Sequence, residues 1–166
     1  EPLLHGGGQE SGLRSGTENV PALVGFAKAL ELAQKEKVAE VQRLTALQDK
    51  LLSSLLKIPD VKLNGHPQKR LPNNVNVSIH GVEGEAVLLM LNEKGICAST
   101  GSACSTKSLE PSHVLLALGM SHEMAHGSLR FSLGRHTREK DISRLMKVLP
   151  GIVKKLRDMS PIKVKT

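Results

Sequence analysis

One of the two cysteines stands where it could act as a nucleophile. Cys104 lies in the run STGSACS at residues 99–105, and no bulky apolar side chain occurs within four positions on either side of it. Glycine and serine favour neither a helix interior nor a core strand, so the run predicts an exposed loop. A thiol there can reach a substrate and attack it as the thiolate. On spacing alone, a loop whose cysteine does no chemistry remains an alternative.

A glycine-rich segment near the start of the chain could bind an anion. Residues 5–17, HGGGQESGLRSGT, combine glycines with an arginine and hydroxyl groups. Glycines let backbone N–H groups turn toward an anion, and a helix predicted from residue 18, with Thr17 as its N-cap, adds a positive dipole end. Phosphate is the natural ligand, although the segment matches neither the P-loop nor the dinucleotide pattern. An ordinary connecting loop is the alternative.

The other cysteine and the histidines indicate less. Cys97 falls in a short apolar segment, residues 96–98, which predicts a strand with a buried, inert thiol. His122 and His126 are four apart and could join Cys97, Cys104 or His113 in a zinc site, but no Cys-x-x-Cys pair accompanies them. Surface or capping histidines are the simpler interpretation. The predicted strand and the intervening residues also argue against a redox pair of the two cysteines.

Hydrophobic periodicity predicts the elements that position these groups. Helices are expected from residue 18 onward, at 38–56, 84–93, 110–118 and 121–126, and from about residue 137 to near the end. Strands are expected at 61–63, 75–79 and 129–133. The last strand places Arg130 on the face opposite Leu129 and Phe131, and Pro150 should kink or break the last helix. The prediction is an α/β fold with a small antiparallel or mixed sheet.

Composition limits the classes of function. The 166 residues suffice for one domain and part of a second, and their aliphatic core has no Trp or Tyr to draw on. The net charge of +7 is scattered without interleaved aromatics, which argues against nucleic-acid binding. No signal peptide, membrane span or disulfide framework is recognisable, so we expect a cytoplasmic protein with no membrane contact. The chain begins with Glu1 instead of Met, as a mature N-terminus or a piece of a larger protein would.

Four runs, taken together, resemble one family. They are HGGGQE-x-GLRSGTEN at 5–19, LPNNVNVS at 71–78, GICASTGSACS-x-x-SLEPSHVL-x-ALG at 95–119 and AHGSLRFSLGR at 125–135. Their content and order resemble the pyridoxal 5′-phosphate (PLP)-dependent cysteine desulfurases of the NifS/IscS type, within the aminotransferase class V superfamily. Ser11 and Thr100 depart from the usual pattern at positions outside the chemistry.

The resemblance implies a role for three residues. Cys104 would attack the sulfur of L-cysteine held on PLP, which leaves alanine and a persulfide on Cys104. The sulfur would pass to an acceptor protein such as an iron–sulfur scaffold. Arg130 would bind the substrate carboxylate, and Thr17 would donate a hydrogen bond to the PLP phosphate of the neighbouring subunit, which implies a homodimer.

The resemblance also implies that part of the enzyme is missing. The family binds PLP through a lysine in a Ser-x-His-Lys run, and no lysine of this chain stands in such a run. We therefore expect residues 1–35 to be the tail of a large PLP-binding domain and residues 36–166 to be the small C-terminal domain of a fold-type I PLP enzyme. Alone, the chain should be inactive. The alternative function is a non-catalytic sulfur-carrying or phosphate-binding module that works with a separate catalytic chain.

Overall fold

The structure, a computed structural model, describes residues 1–100 and 111–160. Its internal contacts divide the chain into two units, Glu1–Ala39 and Glu40–Thr166, which are considered separately below. The described elements are a 3₁₀ turn at Gln9–Gly12, helix α1 (Val20–Leu55), strands β1 (Val61–Leu63) and β2 (Asn74–Ile79), helix α2 (Gly84–Glu93), strand β3 (Ser99–Thr100), helices α3 (His113–Ala117) and α4 (His122–His126), strand β4 (Ser128–Ser132) and helix α5 (Glu139–Met159).

The first unit joins the glycine-rich segment to the beginning of α1. Backbone hydrogen bonds from Leu3 N to Leu13 O and from Ser15 N to Leu4 O hold the two sides of the segment together. Glu10 and Ser11, with φ of 51° and 56°, adopt left-handed conformations that a non-glycine residue rarely takes. In the α1 half of this unit, no residue from 20 to 39 is buried. The first unit therefore has no apolar core among its own residues.

Helix α1 is one continuous element of 36 residues. The prediction of two helices, with the second beginning at residue 38, was wrong. The residues between them, AQKEK at 33–37, are strong helix formers with no glycine or proline to end the helix. The helix therefore runs on into the second unit, where Leu44, Leu47, Leu51 and Leu55 are buried.

The second unit is built on a four-stranded sheet with the order β1-β2-β4-β3. All three pairings are antiparallel, which confirms the predicted small sheet and its α/β class. Apolar residues alternate along the two central strands, β2 and β4. Because residues opposite each other in register share a face, these apolar residues form one row on one face of the sheet. Its members are Val75, Val77, Leu129 and Phe131, and all are buried.

Three helices contribute to the apolar cluster that contains this row. The C-terminal half of α1, the Val87 and Leu91 face of α2, and α5 belong to it together with the sheet. Helix α2 has the predicted bounds, 84–93. Helix α5 continues through Pro150, so the predicted break does not occur there. The opposite face of the sheet carries polar residues instead.

Glycine is needed where α4 turns into β4. A Cβ on Gly127 would meet the carbonyl oxygen of Ile79, with the carbonyl oxygen of Val82 at 3.1 Å. The backbone N–H of Ile79 also donates to the carbonyl of Gly127 at 2.9 Å. This close approach fixes where β4 begins. Among the described residues, no helix has the length and apolar character needed to cross a membrane.

Candidate functional site

Arg130 lies at the middle of β4 and on the polar face of the sheet. Its neighbours along the strand, Leu129 and Phe131, are buried on the other face, while Arg130 is exposed, as the alternation predicted. Within the described part of the chain, its guanidinium has no hydrogen-bonded or ion-paired partner. A planar, always charged fork of donors that the fold does not use is suited to a carboxylate or phosphate.

Two polar residues flank Arg130 on the adjacent strands. The register pairs Arg130 with Asn76 on β2 and with Ser99 on β3. Directly opposed residues in an antiparallel pair have Cβ atoms about 4.5–5.5 Å apart on the same face. Asn76, Arg130 and Ser99 therefore form a row across the sheet. In the sequence, Ser99 and Thr100 of β3 directly precede the segment that contains Cys104.

A hydrogen-bond network behind this row was not predicted. The amide Nδ2 of Asn64 donates to Asn76 Oδ1 at 2.6 Å and to Ser78 Oγ at 2.9 Å, and Ser78 Oγ donates to Met120 Sδ at 3.3 Å. Asn64 and Ser78 are both buried. Asn64 was missed because an Asn-Gly pair after a strand is typical of a turn. The period-two alternation of β2 did indicate that Asn76 and Ser78 share one face.

Thr17 is exposed, and it is not the N-cap of α1 as predicted. The cap is Asn19, whose Oδ1 accepts from the backbone N–H of Ala22 at 3.1 Å. Asn19 directly precedes Val20, the first residue of α1, and this is the position of an N-cap. The Thr17 hydroxyl consequently has no capping role, and the described residues offer it no hydrogen-bond partner. It remains available for a ligand.

The first turn of α1 offers fewer anion-binding donors than expected. The N–H of Val20 donates to the carbonyl of Glu18 at 2.9 Å, and the N–H of Ala22 donates to the cap residue. Pro21 has no N–H. In the loop, Gly16 N–H donates to Gln9 Oε1 at 3.3 Å. The helix end therefore contributes its dipole, and the Thr17 hydroxyl, which has no hydrogen-bond partner among the described residues, is available for direct contact.

The two cysteines stand differently from what was expected. Cys104 lies outside the described residues. Cys97 is exposed, and its segment forms no strand, so the prediction of a buried thiol was wrong. The ladder on β4 begins only at Ser99, two residues later, because Arg130 and Leu129 pair with Ser99 and Thr100. Cys97 lines an open cleft of about 530 Å³ with Arg144, His136 and other residues after β4.

The histidines of α4 do not gather into a metal site with other described residues. His122 is exposed, and the described ranges contain no group of three His, Cys, Asp or Glu side chains arranged to hold a metal. The ordered imidazole nearby is that of His80, whose Nε2 lies 2.9 Å from Glu123 Oε1. This contact joins His80, the residue after β2, to α4 at the surface.

Comparison with known proteins gives a consistent result. The family model for aminotransferase class V matches residues 4–145. The chain is 56% identical over 162 residues to cysteine desulfurase IscS 1 of Archaeoglobus fulgidus and 58% identical over 162 residues to cysteine desulfurase IscS of Methanosarcina thermophila. In each case 98% of this chain is covered, but only 42% and 40% of the relative.

Solved structures agree with the sequence comparison. The NifS-like protein from Rickettsia africae superposes with a TM-score of 0.81 at 32% identity, over 93% of this chain and 40% of that one. The chain thus spans about two fifths of the length of the relatives it matches, and the match includes the Arg130 strand and the Thr17 loop. The chain belongs to the aminotransferase class V family.

Proposed function

We propose that this chain is the C-terminal part of a PLP-dependent cysteine desulfurase, which converts L-cysteine to L-alanine and keeps the sulfur as a persulfide on Cys104. The observation that carries the proposal is the 56% identity to a cysteine desulfurase over 98% of the chain. That stretch includes all four sequence runs described above.

Arg130 is proposed to bind the carboxylate of L-cysteine. Its guanidinium is exposed, has no partner among the described residues, and stands on a central strand fixed by ladders on both sides. A rigid strand holds the charge in one place, and a bidentate pair orients the bound amino acid as well as attracting it. Arg130 therefore sets where the sulfur of the substrate lies.

The residues present fit one edge of PLP, its phosphate. The Thr17 hydroxyl is exposed, unused by the helix cap and close in sequence to the positive end of α1. When bound, PLP supplies an electron sink for bonds at the substrate α-carbon. Every lysine that the structure describes is exposed on the surface, so we propose that the PLP lysine comes from outside these 166 residues.

Cys104 is proposed to be the nucleophile. Its thiolate attacks the substrate sulfur, an S–S bond forms, and the C–S bond breaks. The electron pair of the broken bond stays on the substrate carbon, which takes up a proton to give the methyl group of alanine. The persulfide then transfers its outer sulfur to an acceptor protein, for which we propose an iron–sulfur scaffold.

The exposed apolar stripe on the first half of α1 supports the proposed domain arrangement. Val20, Leu23, Val24, Phe26 and Leu30 are all exposed and recur at helical spacing. We propose that residues 1–35 belong to the large domain of the enzyme, which covers this stripe. Thr17 is proposed to face the active site of the second subunit of a homodimer.

The test measures alanine release and persulfide formation from L-cysteine. The chain is purified alone, and also mixed with a separately expressed PLP-binding region from the Archaeoglobus fulgidus relative. With PLP, the chain alone should show no absorption band of lysine-bound PLP and release no alanine. The mixture should release alanine and add the mass of one sulfur atom to Cys104.

Two alanine variants make the test specific. Cys104→Ala should abolish both products, whereas Cys97→Ala, which removes the exposed thiol of the cleft, should leave them unchanged. A lysine-bound band in the chain alone that survives in Cys104→Ala would contradict the proposal. Persulfide on Cys104 that forms only after a separate, complete cysteine desulfurase has released alanine from L-cysteine would instead indicate the sulfur-carrying module.

A further inference from the structure

Asn76 lies next to Arg130 on β2, which pairs with β4 over more residues than β3 does. The two residues are directly opposed in the register of β2 and β4, so their side chains leave the same face of the sheet. Asn76 is half-buried, and Arg130 is exposed. A ligand that lies on the guanidinium of Arg130 is thus within reach of the amide of Asn76.

The network behind Asn76 determines which end of its amide is free. A methionine sulfur can only accept, so the hydroxyl hydrogen of Ser78 points to Met120 Sδ at 3.3 Å. Ser78 Oγ must then accept from Asn64, which requires the Nδ2 of Asn64 to face both Ser78 and Asn76. The oxygen of Asn76 is therefore the atom that receives the second hydrogen, at 2.6 Å.

This orientation leaves the Nδ2 of Asn76 without an acceptor among the described residues. The amide oxygen is held on the buried side by Asn64, so the two N–H donors are directed away from it. A half-buried N–H donor that has no acceptor among the described residues, beside an exposed guanidinium, suits an anion with two or more oxygens.

We propose that Asn76 donates a hydrogen bond from Nδ2 to the carboxylate of the amino acid that Arg130 binds, with Asn64 and Ser78 holding the amide in that orientation. The inference rests on the proposed function, because it assigns a second contact to the same substrate carboxylate. The hydrogen bond from Asn76 orients the carboxylate, and the charge of Arg130 attracts it. Together they fix the plane of the carboxylate.

The test is an NMR titration of the isotope-labelled 166-residue chain with sodium acetate and with L-alanine. Sodium chloride at matched ionic strength is the control. The Arg130 Nε–H and the Asn76 Nδ2 resonances should shift together and saturate at the same ligand concentration. Asn76→Ala should weaken acetate binding by roughly tenfold to a hundredfold, as expected for one hydrogen bond to a charged group.

Asn74→Ala is the matched control. Asn74 lies on the same strand and face but opposes Ser132 instead of Arg130, so its loss should leave acetate binding unchanged. If Arg130 responds to acetate while the Nδ2 of Asn76 stays still, the inference is overturned and the role of Arg130 stands. If neither responds, both contacts are overturned, while alanine release tests the desulfurase function separately. The wild-type titration needs no variant to fold.

Discussion

Replacing Gly127 with alanine should damage the second unit more than any torsional argument suggests. The backbone of Gly127, with φ −79° and ψ 11°, is open to every residue, so alanine carries no conformational penalty there. The cost comes from its Cβ, which would collide with the carbonyl oxygen of Ile79 and press on that of Val82. Backbone atoms cannot swing aside as a side-chain tip can.

The size of the effect follows from two contributions. Overpacking of this kind costs about 2 kcal/mol, and separating the strands removes the Ile79 N–H to Gly127 carbonyl hydrogen bond, worth about 1 kcal/mol. We therefore expect Gly127→Ala to lower the free energy of unfolding by about 3 kcal/mol. The same shift would displace Arg130, three residues along β4.

Urea denaturation followed by far-UV circular dichroism measures this change, since the chain has no Trp or Tyr for fluorescence. Gly134→Ala is the matched control: it lies beyond the same strand, and its added Cβ meets nothing within 4 Å. It should unfold like the wild type or slightly later. A Gly127→Ala variant within about 0.5 kcal/mol of the control would show that the α4–β4 junction yields easily, and the reasoning would be refuted.

Three further predictions concern stability. Gly151→Ala, in the interior of α5 with open space around its Cβ, should raise the free energy of unfolding by about 0.5–1 kcal/mol in the same urea assay, and a decrease would contradict it. Arg70→Met should be neutral or stabilising by about 1 kcal/mol, because Nε and Nη1 of Arg70 are buried without a partner in the described structure; a clear loss of stability would reveal a role for that charge. The hydrogen bond from Arg43 lowers the pKa of Glu40 below its ordinary 4.5, so the ionised pair stabilises the fold above that pH and its contribution is lost as the pH falls through the lowered value. Glu40→Gln should therefore flatten the acid side of a stability-against-pH curve, and an unchanged curve would exclude the effect.

Much of the second unit could be predicted because local signals and tertiary packing agree there. Helix α2 has an apolar stripe and a glycine just after it, and its bounds were confirmed. The alternation around Arg130 correctly separated the charged face from the buried face. Such patterns depend only on neighbours along the chain.

Some of the differences, such as the exposure of Cys97, occurred where distant contacts decide. The burial of Cys97 depends on where the β3–β4 ladder begins, and that depends on pairing with a strand thirty residues away. The pairing of Asn64 with Asn76 likewise joins two strands across a turn. Helix α5 keeps Pro150 because its buried face, including Leu149 and Ile152, continues on both sides of the proline. No local rule reports these compensations.

The continuity of α1 has a consequence for local unfolding of the chain. The helix is about 54 Å long, yet only its C-terminal half is anchored by buried leucines, while residues 20–39 have none. A helix without tertiary packing is close to the balance between helix and coil. Amide hydrogens of residues 24–39 should therefore exchange with solvent orders of magnitude faster than those around Leu51, within one unbroken helix. The boundary between the two units should therefore coincide with an abrupt rise in protection from hydrogen exchange along α1.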